Sequence, residues 1–96
     1  MSESECSLNI RAQLLERAGR VTEAIDLYED MIARGTIGPH PYNRLLAIYW
    51  KTKRQDDERR ICELAAVRFP ETADGYGRRA PSHFVTRLRR LRSRAR

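Results

Sequence analysis

The sequence has few of the residues that build metal sites, disulfide scaffolds and membrane spans. It contains two cysteines, Cys6 and Cys62, and two histidines, which is too few for a disulfide-rich scaffold or a typical zinc site. No stretch approaches the roughly 20 consecutive apolar residues of a membrane-spanning helix. The first basic residue is Arg11, which disfavours a signal peptide. We therefore expect a cytoplasmic protein with free thiols, no metal and no membrane span.

Positive charge is concentrated toward the C-terminal end of the chain. The net charge is +6 over 96 residues, yet residues 1–72 hold 11 Lys and Arg against 12 Asp and Glu. Residues 73–96 hold eight arginines against one aspartate. A hydrophobic content of 41% with 33% charged residues is typical of a globular domain. The asymmetry predicts a surface or partner-binding role for the C-terminal segment alone.

Apolar residues recur at helical spacing in two consecutive segments of equal length. In the first segment they begin with Leu8, Ala12 and Leu15, and 34 residues later with Tyr42, Leu46 and Tyr49. Intervals of three and four predict amphipathic helices. Gly19 interrupts the first series and can end a helix in the left-handed conformation. The pattern predicts an all-α fold with two antiparallel helical hairpins, at about residues 5–38 and 39–72.

The period and several residues resemble the tetratricopeptide repeat, a hairpin of 34 residues. The matching positions are Leu8, Ala12, Leu15, Gly19, Ala24, Tyr28 and Met31 in the first unit, and Tyr42, Leu45, Tyr49, Ala65 and Pro70 in the second. The second unit departs from the family pattern at Leu46, Lys53, Glu58 and Cys62. These residues stand in place of a small residue, a glycine, an alanine and an aromatic. The resemblance covers about residues 5–72 and implies a short α-solenoid that binds proteins on its concave face.

The resemblance also implies which side chains face a ligand. The candidate partner-binding residues are Asn9, Gln13, Arg17, Asn43, Trp50 and Lys51. Asparagine and basic side chains can hydrogen-bond an extended peptide and its carboxylates. The alternative is that these polar residues form a solvated helix face. The partner could be another protein, an acidic peptide or a second copy of this chain.

Trp50 directly follows Tyr49, whose place in the repeat predicts burial. Its side chain should therefore point about 100° away from the core. Tryptophan is frequent at binding hot spots, so contact with a partner or a second copy is one interpretation. The other is intramolecular cover by the C-terminal segment, whose arginines could stack on the indole.

The C-terminal segment has an apolar stripe beneath its arginines. Phe84, Leu88, Leu91 and Ala95 fall on one side of a helix, and Ser82 can act as its N-cap. After a loop at residues 73–81, we predict a basic amphipathic helix over residues 82–96 that covers the end of the second hairpin. Two alternatives remain: the segment orders only on an acidic partner, or it lies on a membrane surface.

The arginines also suggest an alternative function, nonspecific nucleic-acid binding. The candidate residues are Arg78, Arg79, Arg87, Arg89, Arg90, Arg92, Arg94 and Arg96. If about six met phosphates, log affinity against log salt would have a slope near −5. Few aromatic residues are interleaved with them, so base recognition is not expected.

Nothing in the sequence indicates catalysis. Neither histidine has an obvious nucleophile beside it, and there is no phosphate-binding glycine loop. The acidic run at residues 56–58 stands at a predicted helix start, where we expect solvated carboxylates that favour the helix dipole. We therefore expect no enzyme activity and no cofactor.

Overall fold

In the computed structural model, which describes residues 4–73 and 76–94, the chain is mainly helical. The helices are α1 (Glu5–Arg17), α2 (Val21–Ala33), α3 (His40–Lys51), α4 (Gln55–Arg68) and α5 (His83–Arg94). Two short strands, β1 (Glu71–Ala73) and β2 (Arg79–Pro81), pair antiparallel between α4 and α5. The all-α fold class predicted from the sequence is confirmed.

The chain consists of two compact units that divide within α3. The first unit extends to Ala47, and the second runs from Ile48 onward. From the sequence, we predicted two hairpins within residues 1–72, a loop at residues 73–81 and a capping helix over residues 82–96. In the structure α5 belongs to the same unit as α4, because these two helices pack directly against each other.

The first unit is built on the packing of α1 against α2. Ala12 and Ala24 are fully buried, and alanine allows helices to approach closely because its side chain is a single methyl group. Tyr28 is also fully buried. At the start of α1, the side chain of Ser4 accepts a hydrogen bond from the amide of Ser7 at 3.1 Å. This N-cap satisfies one of the amides that a helix start leaves without a partner.

The local structure repeats with the 34-residue period of the sequence. Helices α1 and α3 end 34 residues apart, and α2 and α4 begin 34 residues apart. The same type of hydrogen bond closes both turns. Arg20 N donates to Leu15 O in the first turn, and Arg54 N donates to Tyr49 O in the second, both at 2.9 Å. Each turn also places one residue in the left-handed region, at φ 79° for Gly19 and φ 59° for Lys53. Lys53 therefore adopts the conformation of the glycine that it replaces.

Lys53→Gly should raise the free energy of unfolding by about 0.5–1 kcal/mol, because a side chain is strained at a left-handed φ. Urea denaturation measures the change. The matched control is Gly19→Ala, which should cost about 1 kcal/mol. A Cβ at Gly19 would meet no atom within 4 Å, so that cost is conformational. A less stable Lys53→Gly variant would contradict the prediction.

Residues 71–73 and 79–81, at the two ends of the predicted loop, form a pair of short strands. Glu71 pairs with Pro81 and Ala73 with Arg79 across β1 and β2. The amide of Ser82 donates to the carbonyl of Pro70 at 3.0 Å, closing the hairpin at its base. Strands of three exposed residues have no hydrophobic alternation, which is the signal that identifies a strand in a sequence.

Helix α5 packs on α4 through the apolar stripe seen in the sequence. Phe84 and Leu88 are buried and Leu91 is half-buried, whereas Ala95 lies outside the described residues. The thiol of Cys62 donates a hydrogen bond to the carbonyl of Phe84 at 3.2 Å. The ring of Phe84 also packs against Phe69, with a centroid separation of 5.8 Å.

The acidic run at the start of α4 is only partly solvated, which corrects the expectation from the sequence. Glu58 is buried, with 4% of its surface exposed. Its Oε2 accepts hydrogen bonds from Arg87 Nη2 at 2.7 Å and Nε at 3.1 Å. A buried carboxylate needs a charged partner of this kind to offset its lost hydration. Asp57 instead pairs near the surface with Arg54 and Arg60.

Two departures of the second unit from the repeat pattern therefore contact α5. Glu58 and Cys62 occupy the positions that Ala24 and Tyr28 occupy in the first unit. Glu58 holds the Arg87 side chain, and Cys62 contacts the α5 backbone at Phe84. These residues make specific contacts with the helix that follows, in place of the alanine and aromatic of the repeat.

Candidate partner-binding surfaces

A polar cleft of about 430 Å³ lies on the first unit. The lining residues come from α1 and α3 and are Gln13, Glu16, Arg17, His40 and Arg44. Two of the predicted partner-binding residues, Gln13 and Arg17, are among them. The amide nitrogen of Gln13 lies 3.2 Å from His40 Nε2, and Arg17 is exposed. Among the described residues, the cleft thus presents hydrogen-bonding groups and no apolar side chain.

The carboxylate of Glu16 is the centre of a hydrogen-bonded network in this cleft. Arg44 Nη2 donates to Glu16 Oε1 at 2.6 Å, and the hydroxyl of Tyr28 donates to Oε2 at 2.7 Å. Burial raises the pKa of Glu16, but the hydrogen bonds from Arg44 and Tyr28 outweigh it and leave the pKa below the usual value. Burial and the bond to Glu16 raise the pKa of Tyr28. At neutral pH the network is therefore a charged pair with a neutral phenol.

Glu16→Gln should lower stability by about 1–2 kcal/mol at pH 7, because a half-buried charged hydrogen bond is lost. A carboxyl whose pKa is depressed on folding stabilises the protein above its unfolded pKa, and this contribution is lost as the pH falls through the folded value. The difference between wild type and Glu16→Gln should therefore shrink below about pH 4.5. Urea midpoints at pH 7 and pH 3.5 measure it. A difference that is equal at both values would contradict the assignment.

The other two predicted residues of the first unit do not line this cleft. Asn9 is half-buried, and its Oδ1 is buried without a hydrogen-bond partner in the described part of the chain. Asn43 is exposed on α3. His40 and Arg44 were not predicted as site residues. Their spacing of four places them on one helix face, but their position beside Glu16 depends on how the first unit packs.

A larger cavity of about 920 Å³ lies on the second unit, beside Trp50. Its lining residues come from the end of α3, the following turn, α4 and α5, and are Trp50, Lys51, Lys53, Gln55, Asp56, Glu58, Arg59, Leu91 and Arg94. Two further predicted residues, Trp50 and Lys51, therefore lie together. Trp50 remains 61% exposed, although Leu91 and Arg94 of α5 line the same cavity. Helix α5 therefore covers Trp50 only in part.

The charges around the Trp50 cavity are predominantly positive. Lys51, Lys53, Arg59 and Arg94 provide four cations, and Asp56 and Glu58 provide two carboxylates. The charge of Glu58 is already balanced by Arg87. Arg59 is oriented by a hydrogen bond from Nη2 to the carbonyl of Leu91 at 3.3 Å. The cavity therefore combines one exposed indole with an excess of positive charge.

The arginines proposed for nucleic-acid binding have different environments. Arg79 pairs with Glu71 at 3.1 Å, and the guanidinium of Arg78 lies 5.6 Å from the ring centroid of Tyr76. Arg87 is committed to the buried Glu58, and Arg96 lies outside the described residues. The remaining four are exposed on α5 and are Arg89, Arg90, Arg92 and Arg94.

Within residues 4–73 and 76–94, no group of three or more His, Cys, Asp or Glu side chains is placed to hold a metal ion. In the same ranges, no helix has the length and apolar character needed to cross a bilayer. No protein-family model, curated protein or solved structure matches this chain.

Proposed function

We propose that this protein is a small interaction module, similar to the tetratricopeptide repeats, that binds a protein or peptide partner. The observation that carries the proposal is the exposed Trp50 beside a cavity of about 920 Å³. The 34-residue recurrence of helix bounds and turns supports the resemblance to repeat proteins. In that family the function is protein binding.

The energetics of Trp50 favour a binding role. A tryptophan side chain buries about 150–250 Å² when it is fully covered. With 61% of Trp50 exposed, much of this apolar area is left in water and becomes favourable to cover. At about 25 cal/mol per Å², covering roughly 100 Å² contributes about 2.5 kcal/mol. A contribution of this size to the binding free energy is typical of a hot-spot residue.

Photo-crosslinking tests the proposal in cells. A benzophenone amino acid at Gln55, which is exposed, uncharged and lines the same cavity as Trp50, should form discrete crosslinks to a protein partner. Crosslinks should persist with Tyr76→Ala and be lost with Trp50→Ala. Tyr76 is a suitable control because it is an exposed aromatic that does not line the cavity. Crosslinking that is unaffected by Trp50→Ala would reject this site.

The four exposed arginines of α5 support nonspecific nucleic-acid binding as a second candidate function. With four phosphate contacts in place of six, the slope of log affinity against log salt should be about −3.5 for duplex DNA. Fluorescence anisotropy with a 20-base-pair duplex measures the slope. The double variant Arg89→Ala, Arg92→Ala should bring the slope about two units closer to zero. Binding without salt dependence would reject this function.

A further inference from the structure

We infer that the Trp50 cavity accepts an acidic linear segment of a protein. One apolar side chain of the bound segment packs against Trp50 and Leu91. Carboxylates on either side of it pair with the cations that line the cavity. The inference rests on the proposed function and specifies the chemistry of its partner. Its evidence is the composition of the cavity lining, which combines apolar and charged groups from three helices and one turn.

The cations of the cavity are held by ordered backbone elements. Lys51 is the last residue of α3, and Lys53 lies in the turn with a fixed left-handed φ. Arg59 is anchored to the carbonyl of Leu91, and Arg94 is the last residue of α5. Positive groups therefore come from separate elements to one cavity, an arrangement that attracts a segment with several carboxylates.

The apolar contribution comes from two residues on different helices. Trp50 is exposed, and Leu91 is half-buried at the end of the stripe that begins with Phe84 and Leu88. An apolar side chain between them would complete the cover of the indole. Aromatic and aliphatic anchors in such a position dominate the affinity of peptide complexes, while the surrounding charges provide selectivity.

A polypeptide fits this lining better than a nucleic acid does. Asp56 and Gln55 line the cavity together with the cations, and Asp56 is an exposed carboxylate. The amides of a peptide can donate hydrogen bonds to a carboxylate, whereas a phosphodiester backbone has only acceptors and is repelled. A single-strand binding groove also stacks successive bases on several aromatics, whereas Trp50 is the only aromatic residue among the described residues of this lining.

A peptide-display experiment tests the inference. A random eight-residue library is selected on wild-type protein and counter-selected on Trp50→Ala. The recovered sequences should place Asp or Glu around a central Leu, Ile or Phe. The best peptide is then titrated against the intrinsic fluorescence, which reports on this site because Trp50 is the only tryptophan. A version with Asn and Gln flanks should bind at least tenfold more weakly.

Charge variants and an oligonucleotide complete the test. Lys51→Gln and Arg94→Gln should each weaken the acidic peptide threefold to tenfold, while Arg89→Gln, on α5 outside the cavity lining, should change its affinity less than twofold. Equal binding of the neutral peptide would overturn the inference but leave the proposed function intact. No Trp50-dependent peptide would overturn both. Tighter binding of an eight-nucleotide oligothymidine than of the acidic peptide would assign the cavity to nucleic acid instead.

Discussion

Phe84→Ala should destabilise the second unit by about 4 kcal/mol and make the thiol of Cys62 reactive. Phe84 belongs to α5 and is 1% exposed, and its ring packs against Phe69 at the end of α4. Truncation of a buried phenylalanine typically costs about 3–5 kcal/mol, because the transfer free energy is lost and a cavity remains. The thiol of Cys62 contacts the Phe84 backbone, so it reports on the packing of α5.

Thiol labelling separates local release of α5 from global unfolding. Burial raises the pKa of Cys62, which keeps the native thiol protonated and slow to react. In a Cys6→Ser background, Cys62 of the Phe84→Ala variant should react with a thiol reagent in mild denaturant, before the first unit unfolds. Tyr76→Ala is the control, because Tyr76 is exposed and should change stability by less than about 0.5 kcal/mol. Equally slow labelling of Phe84→Ala and wild type would contradict the predicted role of Phe84.

Arg87→Met should cost about 3 kcal/mol, because it leaves the buried carboxylate of Glu58 without its counter-charge. The Glu58 side chain is 5% exposed and the Arg87 side chain 27% exposed. Removal of one partner of a buried ion pair typically costs about 3–5 kcal/mol, and we take the lower end because Arg87 is partly solvated. The reverse change, Glu58→Met, should cost about 1 kcal/mol or less, since the guanidinium can turn toward water.

The asymmetry between the two single variants is the main result to measure. The double variant with methionine at both positions should recover most of the stability lost in Arg87→Met, because no buried charge remains. Urea denaturation of all four proteins gives the double-mutant cycle. Arg89→Met controls for the loss of one positive charge from α5, because Arg89 is exposed. If Arg87→Met and Glu58→Met lower the free energy of unfolding equally, Glu58 is not a buried charge that needs Arg87.

The local elements of this fold were predictable because their signals are local. The 34-residue period and the turn at Gly19 predicted the helices and their turns, since amphipathic spacing and left-handed turn residues act over a few positions. Lys53 was identified as a departure from the turn glycine, and it nevertheless adopts a left-handed φ. The strands around residues 71–81 were not predicted, because their pairing depends on the chain reversal and not on an alternating pattern.

The candidate site was only partly predictable. Trp50 was singled out because its neighbour Tyr49 was assigned to the core, and Trp50 is exposed in the structure. Cover of Trp50 by the C-terminal segment was one of two interpretations, but Leu91 and Arg59 were not named as its neighbours. Their place beside Trp50 depends on the packing of α5 against α4, and no pattern within one helix indicates which side chains of another helix it will meet.

The sequence by itself determined where this chain is helical and which end of it is basic, because spacing, turn chemistry and charge are properties of neighbouring residues. Only the tertiary structure decided that Glu58 is buried while Asp56 is exposed. The two acids stand two positions apart in the same helix and therefore point in different directions. Glu58 pairs with Arg87 of α5. A buried carboxylate is tolerated when a cation from another element pairs with it, and the sequence of one helix does not show which cation that will be.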